Sequence, residues 1–363
     1  MDRLSKLGAL GGVVLALVSG CVEPYEPNWL YRGEWIDIDG RDRSAEETCE
    51  GTFAYVDAYA WALAAEFGVS EHLGSYRWYS HEEYDAELPC DGASACAWVE
   101  DRTAHTPLLP HEHEMVHLAN TASGMCPSAL TEGLAEVYGG YSYDSKTSDF
   151  ERLVARMEAP SGLSPGDYGI LGRFAAYLVE RFGLEAVLDV CRITGRYPSG
   201  AELSAAMESV VGMTTAELLA DFEPELGECN EAERYRWRVF GCGVGEAAPD
   251  LGLLSGDGEH RIETTFTLDC ANAATIGPLA DRIWTAARFD VDASMNYDLW
   301  ISEEQLVETP GVELKLVKCE PCARPETIPS GFFGTMPLEA GRYSLELHAP
   351  ADFRAEVTLS IWQ

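Results

Sequence analysis

The segment His113-Glu114-Met115-Val116-His117 constrains this chain more than any other stretch of its sequence. Residues four positions apart lie on one face of an α-helix, so His113 and His117 can present two imidazole nitrogens to one metal ion. Zinc prefers nitrogen, sulfur and carboxylate ligands in a tetrahedron, and a catalytic zinc site combines three protein ligands with a water. Glu114 lies close enough to hold that water. The segment therefore predicts a helix that carries two metal ligands and needs a third.

The third ligand is predicted in a second helical segment, residues 129–138. It contains Glu132 and, one helical turn later on the same face, Glu136. The intervening residues allow the first helix to end near Gly124 before the chain turns into the second. We expect Glu132 to bind the metal and Glu136 to accept a hydrogen bond from the remaining ring N–H of a ligating histidine, as outer carboxylates commonly do. The alternative is a pair of amphipathic helices with solvated charges.

A nearby histidine, His111, does not begin a second His-Glu-x-x-His motif. His111-Glu112 also begins with His-Glu, but position 115 is Met. Because His111 is two residues from His113, it points to another side of the helix and is predicted to be a surface histidine. Pro110 suits the first position of the helix.

Together the two segments resemble the gluzincin metallopeptidases, in the version whose third ligand lies in Pro-x-x-Leu-x-Glu-Gly-Leu-Ala-Glu-x-Tyr. The matching residues are Pro127, Leu130, Glu132, Gly133, Leu134, Ala135, Glu136 and Tyr138. The resemblance covers about residues 49–226. It implies a zincin-like fold, mostly helical with a small sheet, and one Zn²⁺ per chain held by His113, His117 and Glu132.

The resemblance also implies a zinc-dependent peptidase that acts on a peptide or protein substrate. In such enzymes the metal activates water and polarises the scissile carbonyl. Glu114 would be the general base that takes the proton of the water and later delivers it to the leaving amine. The alternatives are a non-catalytic zinc-binding protein that keeps the fold, and an adhesion or structural surface lipoprotein. The presence of Glu114 favours the enzyme.

Two further segments acquire roles from the resemblance. Tyr168 begins a stretch similar to the helix that follows the Glu-Gly-Leu-Ala segment, and its hydroxyl could donate to an oxyanion; the alternative is a packing role. Residues 97–99 (Ala-Trp-Val) are expected to be an edge strand that pairs with the substrate backbone. The alternative there is a buried strand that packs Trp98.

Residues 1–20 have the features of a signal peptide, with Arg3 and Lys6 before a short apolar run. The end of this segment, Val18-Ser19-Gly20-Cys21, resembles the bacterial lipobox and implies that Cys21 is lipidated. Val22 at the next position resembles outer-membrane sorting. We therefore expect an extracytoplasmic protein that is lipid-anchored to a bacterial membrane, at the outer membrane or cell surface. The alternative is an ordinary signal peptide with a structural Cys21.

Charge and cysteine content agree with an exported protein. The formal net charge of −36 argues against nucleic acid as a partner, because a phosphate backbone would be repelled. Eleven cysteines less Cys21 leave ten, an even number that predicts up to five disulfides. We expect short bridges Cys90–Cys96 and Cys319–Cys322, and one bridge between the two halves, for which Cys191–Cys229 is the candidate. A cysteine metal site at Cys319 and Cys322 is the alternative.

The remaining organisation predicts an α+β chain of two domains. We expect the lipidated Cys21 with a tether or N-terminal segment at 21–48, a zincin-like domain at 49–228, a disulfide-containing linker at 229–259 and an antiparallel β-sandwich at 260–363. The sandwich is predicted from short alternating stretches separated by turns. Its role is either attachment to substrate or surface, or stabilisation. In the first domain helices are predicted at 49–67 and 168–182, two short helices at 183–226, and a loop over the site at 141–166.

Overall fold

A computed structural model of the chain describes residues 25–90, 93–140, 150–160, 163–223, 237, 239–256, 261–303, 311–320, 323 and 325–363. Within these residues the architecture is α+β, as the sequence predicts. The signal segment 1–20 and Cys21 lie outside the described residues. In the described part, none of the helices has the length and apolar character that a bilayer crossing requires.

A five-stranded sheet forms one layer of the first domain. Its strands are β1 (Trp29–Arg32), β2 (Ile36–Asp39), β3 (Gly74–Trp78), β4 (Cys96–Trp98) and β5 (Thr103–Thr106), in the order β1-β2-β3-β5-β4. Strands β2, β3 and β5 are parallel, whereas β1 and β4 run antiparallel to their neighbours at the two edges. The segment 21–48, expected to be a tether, therefore supplies two strands. Each is only four residues long, too short for its alternation to stand out.

Helices form the other layer of this domain. They are α1 (Gly51–Glu66), α2 (His81–Glu87), α3 (Glu112–Ser123), α4 (Ser128–Gly139), α5 (Phe150–Glu158), α6 (Tyr168–Phe182), α7 (Leu184–Thr194), α8 (Gly200–Val211) and α9 (Thr215–Phe222). The predicted bounds of α6 are confirmed. The predicted loop at 141–166 contains helix α5 instead, which buries Leu153 and Met157 four residues apart. Residues 141–149 and 161–162 lie outside the described part. The two helices expected at 183–226 are three, because glycines end α7 and α8.

The second domain consists of two β-sheets. Their strands are β6 (Asp250–Leu254), β7 (Ile262–Leu268), β8 (Ile276–Leu279), β9 (Arg282–Val291), β10 (Met295–Glu303), β11 (Glu313–Lys318), β12 (Glu326–Pro329), β13 (Phe333–Leu338), β14 (Gly341–Pro350) and β15 (Ala355–Trp362). One sheet has the order β13-β10-β15-β7, and the other has the order β12-β11-β14-β9-β6 with β8 paired to β9. All pairs in these sheets are antiparallel except β6 with β9. Because β6 lies within the expected linker 229–259, the described sandwich begins at residue 250.

The two domains pack against each other along a seam behind the first helix. Tyr55 of α1 contacts the rings of Phe240 and Trp284, with centroids 4.7 and 6.0 Å away. The buried hydroxyl of Thr52 donates to the carbonyl of Gly277 and accepts from its N–H, both at 3.0 Å. Trp284 and Phe240 belong to the same apolar cluster as the helices. The second domain is therefore a packed partner of the first.

Disulfides confirm one expected pair and correct two. Cys90–Cys96 is present. Cys191 is bonded to Cys126, not to Cys229, and Cys319 is bonded to Cys242, not to Cys322. The bridge between the halves is Cys49–Cys270. Pairing follows proximity in the fold, which spacing along the chain does not reveal; Cys229 and Cys322 lie outside the described residues.

Candidate metal centre

Helix α3 is held in place by its apolar side. Met115, Val116 and Ala119 are fully buried and belong to the core of the first domain. The helix is closed at Gly124, whose φ of +131° favours glycine. With that side fixed, His113 and His117 face helix α4, and their ring centroids are 4.8 Å apart.

The two histidines meet Glu132 of α4 in a cluster that could hold a metal ion. Glu132 Oε2 lies 3.3 Å from His113 Nε2 and 3.5 Å from His117 Nε2. One ligand atom from each residue lies within 4.8 Å of the others. Bonds of about 2.0–2.1 Å to a tetrahedral zinc place its ligand atoms roughly 3.4 Å apart. The donor set and the two separations from Glu132 suit a metal ion with nitrogen and oxygen ligands, and the predicted ligand trio comes together in the structure.

Glu136 lies behind this cluster, as expected from its position one turn after Glu132. Its Oε1 atom is 3.4 Å from His113 Nδ1, and its side chain is fully buried. Two close helix contacts set this position. A Cβ at Gly172 of α6 would lie 2.6 Å from Glu136 Cβ, and one at Gly139 would lie 2.5 Å from His113 Cα. Burial raises the pKa of Glu136, and the histidine opposes that rise.

Glu114 is buried beside the two histidines and lines the adjoining cavity. Burial raises the pKa of its carboxyl, while His117 and His113 oppose the rise. Its Oε2 atom has no hydrogen-bond partner among the described residues. A carboxylate whose pKa moves toward neutrality is better matched to exchanging protons with a substrate than an ordinary glutamate.

The histidine and glutamate side chains of the cluster shift one another's pKa values. Burial lowers the pKa of His113, but its hydrogen bonds to Glu132 and Glu136 outweigh burial and raise that pKa to about 10. Burial raises the pKa of Glu132, but the charges of His117 and His113 and their hydrogen bonds hold it well below its usual range. Protons and a metal ion therefore compete for the same nitrogen and oxygen atoms.

Tyr168 and His111 both line the cavity. The Tyr168 ring stacks on His113, with centroids 5.9 Å apart and planes at 18°. His111 is buried, which corrects the expectation of a surface histidine. The helix begins at Glu112, so Pro110 is not its first residue and His111 is the residue before its first turn. Burial lowers the pKa of His111 to about 3.

Strand β4 borders the opposite wall of the cavity. It lies at the sheet edge, as predicted, and residues 93–97 and Val99 line the cavity. The Trp98 side chain is on the outside, with 42% of its surface exposed, so this is not a buried strand. The cavity has a volume of about 450 Å³. The extended strand β4 and the histidine cluster therefore line the same cavity.

Sequence reasoning did not single out two other residues of the cavity wall, Asn120 and Arg196. Asn120 is one turn beyond His117 on the same helix, a spacing that could have indicated a side chain near the site. Arg196 lies in the loop between α7 and α8, and no pattern in the sequence marks it.

Comparisons with known proteins supply no family. No family model matches the chain, and no curated protein matches it at a significant level. Three similar solved structures are the pre-peptidase C-terminal domain of a Bacillus anthracis collagenase, the Salmonella Typhimurium lysozyme inhibitor PliG, and FeII HppE. The first is 16% identical over 31% of this chain and 93% of that chain, with a TM-score of 0.23. PliG is 11% identical over 31% of this chain and 96% of that one, with a TM-score of 0.19. HppE is 12% identical over 53% and 98%, with a TM-score of 0.16. Scores this low carry no argument about the site.

Proposed function

We propose that this protein is a zinc-dependent peptidase. The observation that carries the proposal is the convergence of His113, His117 and Glu132 on one point, with Glu114 beside them in an open cavity. A purely structural zinc site is closed by four protein ligands, whereas a catalytic site keeps a position free. Three ligands, an adjacent carboxylate and an accessible cavity correspond to the second arrangement.

Zinc supplies Lewis acidity, which polarises a carbonyl and makes water a nucleophile near neutral pH. The chain's own residues would do the rest. Glu114 accepts a proton from the attacking water and delivers it to the leaving amine. Glu136 orients His113 through Nδ1 and fixes which ring nitrogen faces the cavity. The Tyr168 hydroxyl is a candidate donor to the developing oxyanion.

Strand β4 is the candidate surface for the substrate backbone. Among the described strands it pairs only with β5, and its residues Cys96 and Ala97 line the cavity. An extended peptide can add to a free sheet edge through main-chain hydrogen bonds, with little demand on side-chain identity. This mode of binding suits hydrolysis of peptide bonds in unfolded segments.

The test is the Glu114→Gln protein, assayed for zinc content and for cleavage of an unfolded protein with and without chelator. This change keeps the size of the side chain but removes the base. We expect about one zinc per chain to remain, and activity to fall by about 10²–10⁴-fold. Glu208→Gln, the same change on an exposed face of α8, is the control and should keep full activity.

Three outcomes separate the alternatives. A zinc-loaded, inactive Glu114→Gln variant of an active parent supports the peptidase. A zinc-loaded parent that cleaves no peptide or protein tested would favour a non-catalytic zinc-binding protein. A folded parent that binds no zinc would refute the metal centre and leave a structural protein.

We also propose that Cys21 carries a lipid anchor and that the protein is extracytoplasmic. Four disulfides among the described residues support an oxidising compartment. Cys21→Ser should move the protein from the membrane fraction to the soluble fraction, because acyl chains contribute about 0.8 kcal/mol per buried methylene. Unchanged membrane retention of this variant would contradict the anchor.

A further inference from the structure

One arginine lines the cavity beside the histidine cluster. Arg196 is the sole lysine or arginine in its described wall. The chain as a whole carries 25 basic and 61 acidic residues. Arg196 is exposed at the rim of the cavity. In the described part, the Arg196 guanidinium lies over the Tyr197 ring, whose centroid is 5.2 Å from Cζ.

A comparison with the preceding helix shows what the lack of an acidic partner means. Arg192, near the end of α7, forms ion pairs with Glu185 at 2.7 Å and Asp189 at 2.6 Å. Arg196, only four residues later, has no ion pair to any described residue. Its guanidinium, which can bind a carboxylate through two parallel N–H donors, is therefore available to a ligand.

A disulfide connects the helix that precedes Arg196 to the wall of the cavity. Cys191 in α7 is bonded to Cys126, with Cα atoms 4.3 Å apart. Cys126 itself lines the cavity. It directly precedes Pro127, the N-cap residue of α4. The loop that bears Arg196 follows Cys191 directly after the helix ends, so the bridge ties that loop to the cavity wall.

The first turn of helix α4 borders the same part of the cavity and also favours an anion. Ser128 lines the cavity, the residue before it is Pro127, and no side chain caps this helix end. The first turn holds no acidic residue. Backbone N–H groups without intrahelical partners and the positive end of the helix dipole attract negative charge at a helix N-terminus.

Asn120 adds a buried polar atom to this region that no described group satisfies. The Thr131 hydroxyl donates to the Cys126 carbonyl at 3.0 Å, so it accepts from Asn120 Nδ2 at 3.2 Å. This orientation leaves Asn120 Oδ1 as an acceptor, and Oδ1 has no hydrogen-bond partner among the described residues. Asn120 is 98% buried, since only 2% of its surface is exposed, and it lines the cavity. A buried acceptor of this kind is suited to a backbone N–H of a bound ligand.

We propose that Arg196, the first turn of α4 and Asn120 form a subsite that binds a carboxylate-bearing residue of the substrate. Arg196 and the helix terminus bind the carboxylate, and Asn120 Oδ1 accepts the backbone N–H of the same segment. The inference rests on the proposed peptidase function and names its substrate class, peptides with a carboxylate near the cleaved bond. That carboxylate is either an Asp or Glu side chain or the free C-terminus of the peptide.

The experiment uses the zinc-loaded full chain and matched peptide pairs. One series places Glu or Gln at single positions on either side of the cleaved bond, and a second compares free-acid with amidated C-termini. We expect kcat/KM to be about 10–100-fold higher for one acidic member of a pair, the range expected for a charge-assisted hydrogen bond. The first series identifies a side-chain carboxylate and the second identifies a C-terminal one.

Arg196→Gln should remove this preference by raising KM for the acidic peptide while leaving the neutral peptide unchanged within about twofold. Arg196→Lys should restore part of the preference. The matched control is Arg354→Gln, since Arg354 has 79% of its side chain exposed in the second domain. The control should keep the wild-type preference.

Binding to the Glu114→Gln protein, measured by calorimetry, provides a readout that does not depend on turnover. The Kd of an acidic peptide should be lower than that of its neutral partner by a factor of about 10 or more, and Arg196→Gln should abolish this difference. An active enzyme with no carboxylate preference would overturn the subsite and leave the peptidase intact. Equal losses for acidic and neutral peptides in Arg196→Gln would also overturn it. If the wild-type protein cleaves no peptide, the proposed function fails and the subsite fails with it.

Discussion

The interiors of the two domains differ in what they bury. The sandwich core contains apolar side chains such as Phe289, Leu345 and Leu347, and the buried charged groups of the same strands, among them Arg288 and Glu346, are not part of that cluster. The first domain buries Glu114 and Glu136, together with other charged or polar groups, at its centre. Burying such groups costs free energy unless partners or a ligand compensate. We therefore expect the stability of the first domain to depend on its ligand more strongly than that of the sandwich does.

The largest expected effect is the removal of a metal ligand. Glu132→Ala should lose zinc at concentrations that saturate the wild-type protein, because two histidines alone do not make a stable site. It should also abolish the stabilisation that zinc gives the first domain of the wild-type protein. The size of that stabilisation depends on the ratio of the zinc concentration to Kd. Zinc content and melting temperature with and without added zinc measure both effects. Full zinc retention would contradict the assignment of Glu132.

A cavity in the sandwich core should have a large effect on stability and none on the metal. Phe289 is fully buried and stacks on Tyr343, with centroids 5.4 Å apart. Phe289→Ala should lower the free energy of unfolding by about 3–5 kcal/mol, the range for truncating a core phenylalanine. Zinc per chain should stay at the wild-type value in the folded protein.

The control for this prediction is Phe333→Ala, because Phe333 has 69% of its surface exposed. Its effect should stay within about 0.5 kcal/mol, as for most surface changes. Denaturant unfolding of both variants tests the contrast. A loss of zinc affinity in the folded Phe289→Ala protein would show that the two interiors are not independent.

The smallest expected effect is the loss of the outer partner of His113. Glu136→Ala should keep zinc but bind it about 10–100-fold more weakly, the usual cost of removing a group that orients a ligand. Competition with a chelator of known affinity measures the change. If Glu136→Ala loses as much affinity as Glu132→Ala, the assignment of ligand and outer partner must be revised.

The sequence predicted the elements whose signal is long and local. The alternation at 262–268 and the apolar period at 168–182 have the observed bounds of β7 and α6. The spacing of the three ligands also gave a cluster that the structure brings together. These successes share a cause, since each depends on residues that are close in sequence.

The features that the sequence did not predict depend on residues that are distant in sequence. Strand β2 pairs with β3, and Cys49 pairs with Cys270, across separations that no local pattern records. Arg196 lines the cavity near Cys126, from which it is 70 positions distant in sequence, and Cys126 is bonded to Cys191 of the helix before Arg196. His111 is buried, and the helix starts at Glu112, two residues later than Pro110 suggested.

The contact between helices α4 and α6 restricts how the protein can be engineered. Glycines inside helices usually cost about 0.5–1 kcal/mol relative to alanine, so their replacement is a common route to thermostable variants. Here an added Cβ at Gly133 would lie 2.7 Å from the Leu171 carbonyl oxygen, and one at Gly172 would lie 2.6 Å from Glu136 Cβ. Either replacement would separate the helix that bears Glu132 from its neighbour. A substitution at either glycine would therefore disturb the metal centre without changing a ligand. A search for stabilising substitutions should leave both positions out.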